Sequence, residues 1–258
     1  MIVLGFDTST PATAIALRLP DGVTLQARDD PGHGRRPGHA TRLLPLAADL
    51  LAQAGLRFAD VHRIAVGVGP GTFTGLRIGV ASARGLAQSL DAELLGVCSP
   101  RALALAAGAA GPEPGGGGIV LSLIDARRGE VFAAAYAPVE EPLAQRESTP
   151  PRELAPPRAL APARLAEILD EVAANGDDVA RWVAVGNGAV LHRDALASLP
   201  IRVPADDSPL HRVSGEAICA LAVAGVAQPL DTVLPDYRRR PDAEPAREHA
   251  VAATGASA

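Results

Sequence analysis

No lysine occurs in the 258 residues, so all 24 basic side chains are arginine, set against 29 acidic ones for a net charge of −5. With 26 glycines and 23 prolines, this composition reads as the codon bias of a GC-rich genome. The acidic balance argues against nucleic-acid binding by the surface as a whole. Aromatic residues make up only 3%. Two cysteines, Cys98 and Cys219, exclude a disulfide framework. No apolar run reaches the length of a membrane span. The opening stretch Met1 to Phe6 stops at Asp7, far short of an export signal. The chain is therefore expected in the reducing cytoplasm, without a membrane partner. Disorder is excluded as well, because 48% of residues are hydrophobic and only 21% charged.

What is present is enough Ala, Leu, Val and Ile for a sizeable core, arranged in two similar halves. The first half opens with a strand at Ile2 to Asp7, then strands at Thr13 to Leu19 and Val23 to Ala27 joined at Asp21-Gly22, a hairpin signal. Leu43, Leu46, Ala47, Leu50, Leu51 and Ala54 recur at helical spacing, predicting a helix from about Thr41 to Ala54 with Pro45 in its first turn. A strand at Arg63 to Val68, a helix at Thr74 to Leu90, a strand at Leu94 to Val97 and a short helix at Pro100 to Ala107 follow. Residues 108–118, ending in four glycines, read as a flexible joint. Then the order restarts. Ile119 to Asp125 echoes the first strand, Glu130 to Ala137 returns, and seven prolines between Pro138 and Pro162 predict a long irregular connection. Further elements are expected at Arg164 to Ala173 (helix), Trp182 to Val185 (strand), Val190 to Leu199 (helix), Ile201 to Val203 (strand) and Ser214 to Val226 (helix). Residues 241–258 read as a disordered tail. Strands alternating with helices predict an α/β fold. Its duplicated unit of three strands, helix, strand and helix is that of the actin/hexokinase/Hsp70-like fold. Two lobes are expected, residues 1–107 and 119–240, each a mixed sheet flanked by helices.

The densest stretch is Gly67 to Leu90, GVGPGTFTGLRIGVASARGLAQSL. Gly69-Pro70-Gly71 makes a tight turn and Thr74 is a suitable helix N-cap. The glycines match neither common phosphate loop, since no Gly-Lys-Ser/Thr follows and Gly69-x-Gly71 lacks a third glycine. Gly75, Gly79, Ala83 and Ala87 form one small-residue stripe, and Ala81, Gly85 and Ser89 a second. Glycine inside a helix costs about 0.5–1 kcal/mol relative to alanine. Close approach of another element is the compensating gain, either within the chain or from a second subunit.

Several segments carry a family resemblance: IVLGFDTSTPATAIAL at the start, His39 before Leu43-Leu44-Pro45, the Gly69 to Gly79 segment, Asp125-Ala126-Arg127-Arg128-Gly129-Glu130, Val185-Gly186-Asn187-Gly188, and Pro235-Asp236-Tyr237-Arg238. Together they resemble the bacterial TsaB (YeaZ) family over residues 1–238. The resemblance implies the actin/Hsp70-like fold and a part in threonylcarbamoyl transfer to N6 of adenosine-37 in tRNAs reading ANN codons. It implies a non-catalytic scaffold that pairs with a catalytic TsaD-like subunit, joined by a TsaE-like ATPase, with homodimers in isolation. Cofactors are expected on the assembled complex, which uses ATP and Mg, and not on this chain alone; tRNA is reached only through the complex.

The residues agree with that expectation. No two of the six histidines are four apart, so paired imidazole metal capture is not available. No catalytic residue and no metal ligand is assigned. The expected partner interface comprises His39, Leu43, Leu46 and Leu50 from the first helix and Thr74, Leu76, Arg77, Gly79, Val80, Ala83 and Arg84 from the second. A vestigial nucleotide site is expected at Asp7, Thr8, Ser9, Gly186 and Gly188. The alternatives are an ATP-using enzyme of the same fold, a small-molecule kinase or nucleotide-dependent acyltransferase, and a glycoprotease-type peptidase. Ser82 lacks a nucleophile elbow and Cys98 has no histidine nearby in sequence, which disfavours the last.

Overall fold

The computed structural model describes residues 1–32, 35–109, 118–138, 149–176 and 181–238. Most of the joint expected at 108–118 and all of the tail expected at 241–258 lie outside the described residues. In the first half, β1 (Val3–Asp7), β2 (Thr13–Arg18) and β3 (Thr24–Asp29) are followed by α1 (His39–Gln53), β4 (Arg63–Gly69), α2 (Phe73–Leu90), β5 (Glu93–Cys98) and α3 (Ser99–Ala109). The second half runs β6 (Ile119–Arg127), β7 (Glu130–Tyr136), β8 (Glu153–Leu160), α4 (Ala166–Ala174), β9 (Trp182–Val185), α5 (Asn187–Leu191), α6 (Arg193–Leu196), β10 (Ile201–Arg202) and α7 (Gly215–Ala224).

Each half builds a five-stranded sheet, ordered β3-β2-β1-β4-β5 and β8-β7-β6-β9-β10. The hairpin pairs are antiparallel and the pairs β1/β4, β4/β5, β6/β9 and β9/β10 are parallel. The two sheets thus share one topology, and the fold is a duplicated actin/hexokinase-like fold. Alternation along each strand divides the core between two faces. Leu4 and Phe6 of β1 and Ile15 and Leu17 of β2 pack under α1 and α2, whereas Val3 and Ala16 face the opposite layer. In the second sheet Ile119, Leu121 and Leu123 face α4 and α5, whereas Val120 and Ile124 face α3.

The last helix of each half crosses to the other sheet. α7 packs on β1 and β2, and α3 packs chiefly on β6 and against α7. The approach is close: a side chain on Gly5 of β1 would meet the Cys219 Sγ at 2.6 Å. Arg63 fixes the exchange from beneath. It donates to Glu93 Oε2 at 2.7 Å and to the carbonyls of Ala222 and Gly225 at the C-terminus of α7, where a cation satisfies orphan acceptors.

Four local expectations are corrected. The Pro-rich connection contains β8, which pairs with β7 alone. Its register shifts across Pro156 and Pro157, as an edge strand with a bulge allows; residues 139–148 lie outside the described residues. Helix α1 begins at His39, so Pro45 lies in the second turn, on the solvent face. The N-cap of α2 is Thr72, ahead of the expected Thr74, and its side chain makes no capping bond. The helix expected at Val190 to Leu199 is divided into α5 and α6 at His192.

Candidate functional site

The β1–β2 turn is where a nucleotide-binding member of this fold would face phosphates, and here it is sealed. Asp7 is 1% exposed. Its Oδ1 accepts from the Ser9 amide at 2.8 Å and the Ser9 hydroxyl at 2.6 Å, and its Oδ2 from Ser99 Oγ at 2.5 Å. Thr8 Oγ1 donates to the Gly75 carbonyl at 2.7 Å, and the Thr72 amide donates to the Ser9 carbonyl at 2.7 Å. The lid over this turn is the first two turns of α2. Side chains at Gly71, Gly75 and Gly79 would meet Ser9 O at 2.4 Å, Thr8 O at 2.0 Å and Thr8 Oγ1 at 2.3 Å. The glycine stripe therefore exists for contact within the chain. The side chains expected at a nucleotide site, Asp7, Thr8 and Ser9, are buried in a hydrogen-bond network.

Gly186 and Gly188 serve packing as well. A side chain on either would run into the backbone of Leu123, at 2.1 Å from its carbonyl oxygen and 3.0 Å respectively. The opening left between the halves at this point is about 420 Å³ and is lined by Thr10, Asp125, Asn187, Asp206 and His211 rather than by the five expected residues. Asn187 Oδ1 accepts from the Asp125 amide at 3.2 Å, which fixes this wall.

Helices α1 and α2 lie side by side on the outer face of the first sheet. Of the interface residues expected there, His39, Leu43, Leu46, Leu50, Leu76, Gly79, Val80 and Ala83 are buried inside their own chain. For those eight the amphipathic pattern marks the side each helix turns to its own sheet. Thr74 and Arg77 are exposed and Arg84 is half-buried. Also exposed are Leu44 of α1, at 48%, and the second small-residue stripe of α2, Ala81, Gly85 and Ser89. Among the described residues, and apart from its own stretch of helix, no atom lies within 4 Å of a side chain built on Gly85.

His39 anchors the start of α1, its Nδ1 2.8 Å from Thr13 Oγ1. Burial pushes its pKa down, against the opposing pull of the Asp7 and Asp29 carboxylates. The segment after α7 returns along the first sheet and protects the β5 edge. The Gln228 amide donates to the Leu94 carbonyl at 2.8 Å, and Gln228 Oε1 accepts from the Gly96 amide at 2.9 Å. It ends at Tyr237, 44% exposed, whose ring centroid is 5.1 Å from that of Phe73. Arg77 lies 3.8 Å over the Phe73 ring and donates to Tyr237 Oη at 3.0 Å. Composition and spacing do not signal this cluster, because Tyr237 stands 160 residues from Arg77 and further still from Phe73.

A family model described as TsaD, tRNA N6-adenosine threonylcarbamoyltransferase, matches residues 35–253. The chain is 32% identical over 202 residues to the tRNA threonylcarbamoyladenosine biosynthesis protein TsaB of Escherichia coli K12, covering 78% of this chain and 82% of that protein. This chain belongs to the TsaB (YeaZ) family. The Bacillus subtilis TsaB is 35% identical over 136 residues, 53% of this chain and 55% of that protein. The solved structure of YeaZ from Pseudomonas aeruginosa superposes with a TM-score of 0.70 at 30% identity, covering 92% of this chain and 99% of that one. Two of the TsaB-like sequence segments meet α2: the opening turn lies beneath it and the Pro-Asp-Tyr-Arg ending beside Phe73. Among the described residues of this TsaB family member, no three His, Cys, Asp or Glu side chains are placed to hold a metal ion. No helix among them is long and apolar enough to cross a membrane.

Proposed function

We propose that this chain is the non-catalytic scaffold of a tRNA N6-threonylcarbamoyladenosine machinery. In this reading it docks a TsaD-like catalytic subunit on the exposed face of α1 and α2, and a TsaE-like ATPase joins the assembled pair. ATP and Mg are handled by the assembly, and tRNA is reached through it. In isolation the same face pairs two copies of the chain.

The observation that carries this reading is the solvent-facing side of α2. Ala81, Gly85 and Ser89 leave a stretch of it, beyond Arg77, with small side chains only, and Leu44 of α1 is exposed as well. Glycine at an exposed helix position with nothing packed on it is a net cost within the monomer. Close approach of a second helix offsets that cost. The sealed Asp7 network supports the non-catalytic part, because it removes the carboxylate that an ATP-using enzyme of this fold would present to its nucleotide.

The test is size-exclusion chromatography with light scattering, on the chain alone and mixed with the TsaD-like protein of the same organism. A mixed complex is expected. It should be lost with Ala81→Arg, which adds bulk and charge to the exposed stripe, while the melting temperature stays within about 2 °C, as for an ordinary surface change. A variant that pairs as the parent does would remove α2 from the interface.

A further inference from the structure

A cleft of about 740 Å³ opens beside the first turn of α2. That volume lies within the range of small-ligand sites, roughly 300–1,000 Å³. Neither the partner face nor the sealed turn accounts for it. One wall is the uncapped start of α2: Thr72 makes no side-chain capping bond, and the first turn holds no acidic residue. The unpaired amides and the helix dipole at such an end favour an anion. Arg36 lines the same cleft and has no ion-pair partner among the described residues. His39 also lines it and is only 3% exposed. Its Nδ1 lies 2.8 Å from Thr13 Oγ1, and its Nε2 is buried without a hydrogen-bond partner. A buried polar atom left unpaired is costly. Phe73, Ile78, Phe132 and Tyr237 supply an apolar lining.

The charge available narrows the class of anion. The two other arginines on the walls are already matched, Arg127 to Asp125 at 3.4 Å and Arg238 to Asp236 at 2.7 Å. Gly71 and Gly75 are turned against Ser9 and Thr8, so they form no cradle for a polyphosphate. What remains is one guanidinium and about half a charge from the helix. That matches a single carboxylate, which a guanidinium grips through two parallel hydrogen bonds. We propose that the cleft binds a monocarboxylate carried on an apolar or aromatic body. This inference does not depend on the scaffold reading.

Isothermal titration of the full chain with N-acetylphenylalanine, its amide and phenyl phosphate tests it. The acid should bind saturably and the amide about tenfold more weakly, the scale of one charge-assisted contact. Thr74→Asp places a carboxylate in the first turn of α2 itself. It should weaken the acid about tenfold without lowering the melting temperature, since an acidic residue there suits the helix dipole. Arg36→Ala, at an exposed position, should weaken it by a similar factor. A hexapeptide ending in phenylalanine separates the sources. Tighter binding than the acid assigns the site to a protein segment, and equal binding assigns it to a free small molecule; both support the proposal. It is overturned by no saturable binding of either carboxylate, by equal binding of acid and amide, by indifference to Thr74→Asp, or by phenyl phosphate binding more tightly than the acid.

Discussion

Glycine has opposite meanings at two positions of the same helix. At Gly75 an added methyl would lie 2.0 Å from the Thr8 carbonyl oxygen, a backbone atom held by the sheet, whereas at Gly85 it would meet nothing within 4 Å. Gly75→Ala should therefore cost about 1–3 kcal/mol through overpacking. Gly85→Ala should gain about 0.5–1 kcal/mol through helix propensity. Urea unfolding of the two variants beside the parent gives both signs, and equal effects would contradict the seal over the β1–β2 turn. His39 provides a second residue-level prediction. Its folded pKa lies below the ordinary value because the ring is buried. The unfolded chain then binds the extra proton first as pH falls. Stability is complete above the unfolded value, near 6.5, and declines as pH drops through it towards the folded one. Urea midpoints at pH 7.5 and 5.5 should differ more for the parent than for His39→Gln. The sequence pattern marks both positions, Gly75 in a small-residue stripe and His39 ahead of a helix. It does not say what each touches, because Thr8 and Thr13 come from another element.

Helices and strands with a steady hydrophobic period are legible from apolar spacing alone, and those held by neighbours are less so. The strand Trp182–Val185 and the helical pattern after Pro45 are of the first kind. Strand β8 is of the second, since Pro156 and Pro157 argue against a strand until its place at the sheet edge is known. The amphipathic pattern of α1 and α2 is equally visible, but periodicity cannot say whether the apolar stripe meets its own sheet or another chain. Here Leu43, Leu46 and Val80 meet the sheet, so the side left to solvent is the less apolar and more polar one. A test at this scale is the C-terminal segment, which covers the β5 edge and holds Tyr237 against α2. Tyr237→Ala removes the ring contact with Phe73 and the hydrogen bond from Arg77. Since all three side chains are exposed, the expected loss is only about 0.5–1.5 kcal/mol. Amide exchange should quicken along residues 228–237 while the first sheet stays protected. Uniform loss of protection would mean that the segment is part of the global core.

At the scale of the whole molecule, the duplication is visible in the sequence and the exchange of helices is not. A repeated strand order predicts two lobes, but which sheet the last helix of each repeat covers depends on contacts between elements, for α7 between residues some 200 apart, which no local period reports. The exchange changes how the chain unfolds. The first sheet has one face covered by α7, from the far end of the chain, and Ile218 and Cys219 are fully buried there. Residues of both halves share one hydrophobic cluster, which includes Val3 and Ala65 from the first and Phe132 and Tyr136 from the second. The halves should therefore unfold in one cooperative step, not as two bodies joined by a hinge. Cys219 reports this directly, because burial pushes its thiol up to about 12 and keeps it inert in the native state. In a Cys98→Ala background, labelling of Cys219 by a thiol reagent across a urea gradient should follow the circular-dichroism transition at a single midpoint. Labelling that precedes the loss of secondary structure would show α7 leaving the first sheet by itself and would restore the picture of two separable lobes.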